Sequence, residues 1–243
     1  GAFQAPASVS SPFCFTKVTS TTIGHIALSS SSVSTLNLRL IAPPPSQKPP
    51  LGSSATWCEI NTGSGEVGLA ALIKAGRVSK MICSYPRSMN STVFPELYRS
   101  GAIELELVPQ GTLAERIRAG GAGIPAFYTA TCVGTILEEG KERRTINGQD
   151  YVLEYGLKAD FSLIKSLKAD PYGNLIYNKT ARNFAPPMAM AGAITIVQTG
   201  EMVAAGELDP EVIVTPGIFV KRVVVVPNPA HESVLVAEGV TYP

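Results

Sequence analysis

The 243-residue sequence predicts an α/β protein, an open and mostly parallel sheet flanked by helices. Three observations carry that prediction. Strand-like and helix-like segments alternate through residues 60–200, the order expected of strands joined by crossover helices. Glu104-Leu105-Glu106-Leu107-Val108 alternates polar and apolar like a half-buried strand, and Pro109 stops it before a charged helical stretch. Hydrophobic residues make up 45% of the chain and charged ones only 16%, which leaves room for much buried strand. No internal repeat is visible at a fixed period.

The elements follow in order. Residues 1–57 contain no Asp or Glu, the first acidic residue being Glu59, and carry the run Ser29–Ser32 and prolines at 43–45 and 49–50. An acid-poor, Ser-rich N-terminus suggests a transit peptide, and the same composition fits a disordered leader. Thr22–Leu28 and Val33–Ile41 have some strand character. Residues 58–226 form the predicted folded domain, and 227–243 read as a tail or linker.

Asn61–Gly68 is glycine-rich and opens a helix over Leu69–Ala75. It contains G-x-G-x-x-G at Gly63, Gly65 and Gly68, the dinucleotide pattern. Trp57–Ile60 is too short for a clear strand before it, and no acidic residue closes Met81–Tyr85 for a ribose contact. The expectation is therefore a loop and helix N-terminus rather than a nicotinamide site. Val78–Ser84 reads as a buried strand, Phe94–Arg99 as a helix, and Ala102–Val108 as the alternating strand.

Pro109–Phe127 is the most organised stretch. Gln110-Gly111-Thr112 reads as a turn, with Thr112 as N-cap and Glu115 completing a capping box. Leu113–Arg118 is the predicted helix, ended by Gly120-Gly121-Ala122-Gly123 in the C′ region. A neutral polar side chain between a strand's carboxyl end and a helix N-terminus stands where open α/β sheets bind ligands. Phe127–Thr135 reads as a loop. Arg144–Leu153 is a hairpin turning on Asn147-Gly148. Ala159–Asp170 begins with a strand, Asp170–Asn174 is a turn and Leu175–Tyr177 a returning strand. Pro186–Ala193 reads as a small-residue helix. Ile194–Val197, Glu201–Val203 and Arg222–Val226 read as strands.

Composition excludes several functions. A net charge of +1 gives no electrostatic case for nucleic acid or a membrane surface, and no apolar run reaches spanning length. Four widely spaced cysteines without a CxxC argue against a zinc site and a disulfide framework. The two histidines, His25 and His231, stand apart, so Ser-His-Asp and Cys-His chemistry is poorly supported.

Several long motifs in order resemble the A half, the N-terminal half, of the 3-oxoacid CoA-transferases. They are Pro109–Thr129, Lys168–Asp170 with Gly173-Asn174, Thr180–Phe184, and Gly206–Pro210 through Thr215–Ile218. The likeness covers roughly Asn61–Val225. It implies the CoA-transferase (NagB/RpiA-like) fold and transfer of CoA from succinyl-CoA to a 3-oxoacid such as acetoacetate. In that family a glutamate carboxylate attacks the thioester, and a glutamyl-CoA thioester follows. No metal or other cofactor takes part, coenzyme A being a substrate. The resemblance implies that Gln110 and Asn61 position the reacting carbonyl, and that Gly120, Gly121 and Gly123 border the substrate and CoA pocket. The family's Ser-Asn-Asn-Ala-Gly segment falls on Glu59-Ile60-Asn61-Thr62-Gly63, so only the second asparagine and the glycine are kept.

Two departures qualify the resemblance. Residues 1–57 contain no GGF-x-x-x-G-x-P segment, which reads as a first segment replaced or mis-joined. The family's nucleophilic glutamate belongs to the B half, and Glu138-Glu139-Gly140 and Glu154-Tyr155-Gly156 match its E-x-G pattern only formally. The expected partner is thus a B subunit or B domain, in an oligomer, with the chain inactive alone. Eukaryotic relatives suggest the mitochondrial matrix, bacterial ones the cytoplasm. The alternatives are another acid pair (3-oxoadipate, or acetate with butyrate), a non-catalytic scaffold, and a nicotinamide oxidoreductase.

Overall fold

The computed structural model describes residues 14–17, 55–87 and 90–241. Eleven strands and five helices are built from them. In the first half, β1 (Cys14–Lys17), β2 (Ala55–Asn61), β3 (Val78–Tyr85) and β4 (Glu104–Leu107) alternate with α1 (Gly68–Lys74) and α2 (Val93–Arg99). Helix α3 (Gln110–Gly121) then leads into β5 (Ala126–Thr129), β6 (Arg143–Ile146) and β7 (Gln149–Tyr155). The chain returns through β8 (Ala159–Ala169), β9 (Leu175–Ile176), α4 (Ala181–Ala191), β10 (Gly192–Met202), β11 (Arg222–Val225) and α5 (Glu232–Ala237).

The main sheet runs β11-β10-β8-β1-β2-β3-β4 with every neighbouring pair parallel, and β9 adds antiparallel to the end of β8. It is the open, mostly parallel sheet that the sequence predicts. A second sheet, β5-β7-β6, is antiparallel.

Side chains alternate across a strand, so neighbours on β2 serve opposite layers. Trp57 packs with Leu69, Ile73, Met81 and Phe94 under α1 and α2. Cys58 packs with Ile82, Leu113, Ile117, Ile164 and Met188 under α3 and α4. Leu113 and Ile117 are each 1% exposed and one helical turn apart; burying each contributes about 2 kcal/mol.

Several elements depart from the expectation. β2 is seven residues long, where the sequence suggested no clear strand. Its signal is hidden because both faces are covered and because Glu59, 4% exposed, sits among its apolar residues. Phe127–Thr129, expected in a loop, belong to β5 and are held by pairing with β7. Ile194–Val197 and Glu201–Val203 are parts of one strand, since β8 supplies partners from Gly192↔Ala159 to Met202↔Ala169, across Gly200. Helix α4 starts at Ala181 and carries Pro186 and Pro187 inside it. Their missing N–H groups leave the carbonyls of Arg182 and Asn183 without intrahelical donors. Phe184, Ala185, Met188 and Ala189 make the buried stripe that holds the helix despite this.

Within 1–57, β1 lies between β2 and β8, while Thr22–Leu28 and Val33–Ile41 fall outside the described residues. Residues 232–237 of the tail are helical, and the Glu232 carboxylate accepts from Ser64 N–H at 3.0 Å. Among the described residues, no helix is long and apolar enough to cross a membrane.

Candidate active site

The strand order reverses between β1 and β8, and the carboxyl edge beside that point is where such sheets bind ligands. Asn61 closes β2 on this edge, paired with Tyr85 at the end of β3. Asn61 Oδ1 accepts from Gly63 N–H at 2.9 Å, a side-chain turn that leaves the Nδ2 donor without a partner among the described residues. Gly63 is needed there: its φ is +80°, and a Cβ would stand 2.8 Å from Ala70 N. Thr62, 1% exposed, donates to Pro86 O at 2.8 Å and lies 3.3 Å from Ser91 Oγ. This ties the loop to the end of β3. Beneath it, burial pushes the Cys83 thiol up to about 12, with Glu59 adding to the rise, so Cys83 is no thiolate nucleophile at neutral pH.

Gln110 follows β4 on the same edge. Val108 N–H reaches Cys83 O at 3.0 Å, which carries the chain one strand beyond β3 before it turns. Asn61 and Gln110 thus flank the end of β3, on the order of 10 Å apart at two strand spacings. The expected capping box is not formed. Pro109 is the N-cap, with extended ψ of 141°, and the helix winds directly from Gln110 without a side-chain cap. Thr112 is inside the first turn, 4% exposed, with Oγ1 unpartnered, and Glu115 pairs with Arg118 instead. Gln110 is exposed as the first helical residue. The free N–H groups of the first turn make this helix end a place where negative charge is favoured.

The glycine cluster lies at the other end of α3, about 16 Å along the axis from Gln110. Gly120 and Gly121 are helical rather than C′ residues; only Gly123, φ +75°, takes the left-handed conformation. Their role is close approach. A Cβ on Gly120 would stand 2.1 Å from Leu157 O, and one on Gly121 would stand 2.8 Å from Met190 Cβ. Gly120, Gly121 and Gly123 line a cleft of about 510 Å³ with Lys158, Asp160 and Met190, at the amino ends of β8 and β10. The structure therefore joins Asn61 and Gln110 on one edge and places the three glycines on the opposite one.

The two E-x-G glutamates lie elsewhere. Glu138 accepts from Gly134 N–H and pairs with Arg143 at 2.9 Å. Glu154, 4% exposed, pairs with Lys141 at 2.6 Å and faces Arg116 at 3.8 Å. A carboxylate held between cations is a weak nucleophile. Among the described residues, no group of three or more His, Cys, Asp or Glu could hold a metal. What sequence reasoning missed is Arg116 itself, half a helix from Gln110; its spacing from Glu106 carries no pattern before β4 and α3 are placed.

Residues 55–226 match the family described as Coenzyme A transferase. The chain belongs to that family. Among its coenzyme A transferase relatives, the A subunit of 3-oxoadipate CoA-transferase from Pseudomonas putida is 60% identical over 174 residues, 72% of this chain and 75% of that protein. The A subunit of the probable succinyl-CoA:3-ketoacid coenzyme A transferase of Bacillus subtilis is 56% identical, over 68% of each chain. In fold, the chain is similar to an acyl-CoA transferase of E. coli O157:H7 solved as a thioester complex with CoA, with a TM-score of 0.63 at 21% identity. That match covers 73% of this chain and 40% of the other, so this coenzyme A transferase chain spans about two-fifths of that protein.

Proposed function

We propose that the chain is the A half of a CoA-transferase that moves CoA from succinyl-CoA to a 3-oxoacid, completed by a B subunit or B domain. The observation that carries this reading is the pair of amide donors, Asn61 and Gln110, on one sheet edge of a chain in this family. A thioester carbonyl gains negative charge when a carboxylate attacks it, and a neutral amide at a helix N-terminus stabilises that charge without a proton transfer.

In the proposed sequence a glutamate of the B half attacks succinyl-CoA and expels CoA thiolate, leaving a mixed anhydride. The thiolate attacks the glutamyl carbonyl, releases succinate and forms glutamyl-CoA. The 3-oxoacid then reverses these steps and departs as its CoA ester. Coenzyme A is a substrate, and no other cofactor enters. The greater similarity to the 3-oxoadipate enzyme, 60% against 56%, supports 3-oxoadipate as acceptor ahead of acetoacetate. The relatives named above are bacterial, which supports a cytoplasmic enzyme and lends nothing to a mitochondrial one.

The test is reconstitution. The chain alone produces no acyl-CoA exchange; with a B subunit it forms 3-oxoadipyl-CoA from succinyl-CoA. Exchange by the chain alone would overturn the division of labour. In the complex, Gln110→Ala lowers kcat about 100-fold if its amide serves the oxyanion; an unchanged kcat rejects that role.

A further inference from the structure

Arg116 is the most connected charged side chain near the proposed site. It lies in the middle of α3 and is 14% exposed. Its Nη1 donates to Glu106 Oε1 at 2.7 Å, and its Nε donates to Tyr155 O at 3.0 Å. Glu106 holds Lys80 Nζ at 2.8 Å on its other oxygen, and Glu154 holds Lys141 Nζ at 2.6 Å while facing Arg116 at 3.8 Å. Lys80, Glu106, Arg116, Glu154 and Lys141 therefore alternate in sign from β3 through β4 and α3 to β7 and the segment before β6. The Arg116 carbonyl also accepts from Leu157 N–H at 2.7 Å.

Gln110 sits inside the loop that this ladder closes. Glu106 is four residues before it on β4 and Arg116 six after it on α3, and their contact joins the two arms of the turn. Such a contact fixes both the rotation of α3 about its axis and its slide along β4. We infer that Arg116 is a positioning residue: by bridging β4, α3 and the small sheet, it holds the first turn of α3 where the Gln110 amide meets the substrate carbonyl.

Stability alone is a poor account of this arrangement. Even a buried ion pair is often matched or bettered by apolar residues of the same size, and this one is only partly buried, so what it adds is register. An oxyanion donor needs placement to a fraction of an ångström, and a 1 Å error lowers turnover about 100-fold. The role of Gln110 rests on the CoA-transferase reading above; the clamp itself rests on these distances alone.

The test separates the two. In the complex with a B subunit, Arg116→Met lowers kcat about 10-fold or more with KM little changed, and Arg116→Lys, which keeps the charge but not the two-donor fork, restores only part of it. In a Gln110→Ala background Arg116→Met adds no further loss, because it acts through the absent amide. Losses that multiply in the double variant, or a change in KM alone, overturn the inference. Arg118→Met, on the exposed side of α3, leaves both constants unchanged.

A second measurement needs no activity. In the full chain alone, Arg116→Met speeds amide exchange at Leu113, whose N–H bonds to Pro109 O at 2.8 Å, and an unchanged rate overturns the clamp. If Arg116→Met fails to fold, Glu106→Gln weakens the same contact by removing its charge at constant volume and is read in the same way. A wild-type complex without CoA transfer would sink the functional reading, and the exchange measurement would still decide the role of Arg116.

Discussion

The two ends of α3 obey different rules. At its C-terminal end the backbone is pressed against Leu157 and Met190, and only hydrogen fits at Gly120 and Gly121. At its N-terminal end Gln110 is exposed, Gly111 has open space around it, and Thr112 holds a buried hydroxyl without a partner. One end is fixed by packing and cannot vary. The other is polar, incompletely satisfied and placed on the carboxyl edge of the sheet. Natural chains keep such unsatisfied groups mainly where function needs them.

Substitutions can break that contrast. Gly120→Ala has the largest expected effect: a Cβ 2.1 Å from a backbone carbonyl must force the helix off Leu157, destabilising the chain by about 3 kcal/mol. Thermal unfolding checks it, and a change below about 0.5 kcal/mol would erase the distinction between the ends. Thr112→Val should stabilise by about 1 kcal/mol, because it removes a buried hydroxyl that makes no hydrogen bond. A loss of stability instead would reveal a partner for that hydroxyl. Gly111→Ala, on the same helix as Gly120, should stabilise by about 0.5 kcal/mol through lower backbone entropy in the unfolded chain. Equal signs for the two glycines would refute the comparison.

The smallest effect concerns pH, and it probes the middle of the helix. Burial acts to raise the Glu106 pKa, but hydrogen bonds from Lys80 and Arg116, with their charges, outweigh it and hold the carboxyl below the usual range. A depressed carboxyl contributes stability that is full above its unfolded pKa and is lost as pH falls through the folded value. Unfolding followed from pH 6 downward should show this loss beginning near the ordinary glutamate range, about 4.3. Glu106→Gln should flatten that part of the profile. A profile identical to wild type would remove Glu106 from the ladder.

The sequence made visible what local chemistry decides. Asn147-Gly148 marked the hairpin because both residues must take positive φ, and they do, at 52° and 80°. The strand through Leu107 and the helix after Pro109 were legible from alternation and a stop. Gln110 and Asn61 were singled out as candidates chiefly through family likeness; the structure puts both on the carboxyl edge of the sheet. What failed depended on distant partners. Gly120 and Gly121 looked like a helix stop because glycine's commoner use is conformational, whereas here Leu157 and Met190 dictate it. Thr112 looked like a cap because a hydroxyl three residues before a glutamate fits that pattern, while the preset geometry of Pro109 started the helix earlier. Strand β10 looked broken at Gly200 until β8 supplied its pairing. The Arg116 ladder joins residues from four elements and has no trace in any one of them.

The position of β1 has a consequence for how the molecule assembles. It comes first among the described strands yet pairs on both sides, with β2 and with β8. During synthesis β2 can join it early, but its other edge stays open until β8 emerges, after α3 and the whole small sheet. Until then the nascent half-sheet carries a row of unpaired backbone groups, the kind of edge that recruits strands from other chains. Folding of this protein should therefore be slow and sensitive to concentration, its step of closure being the docking of β8.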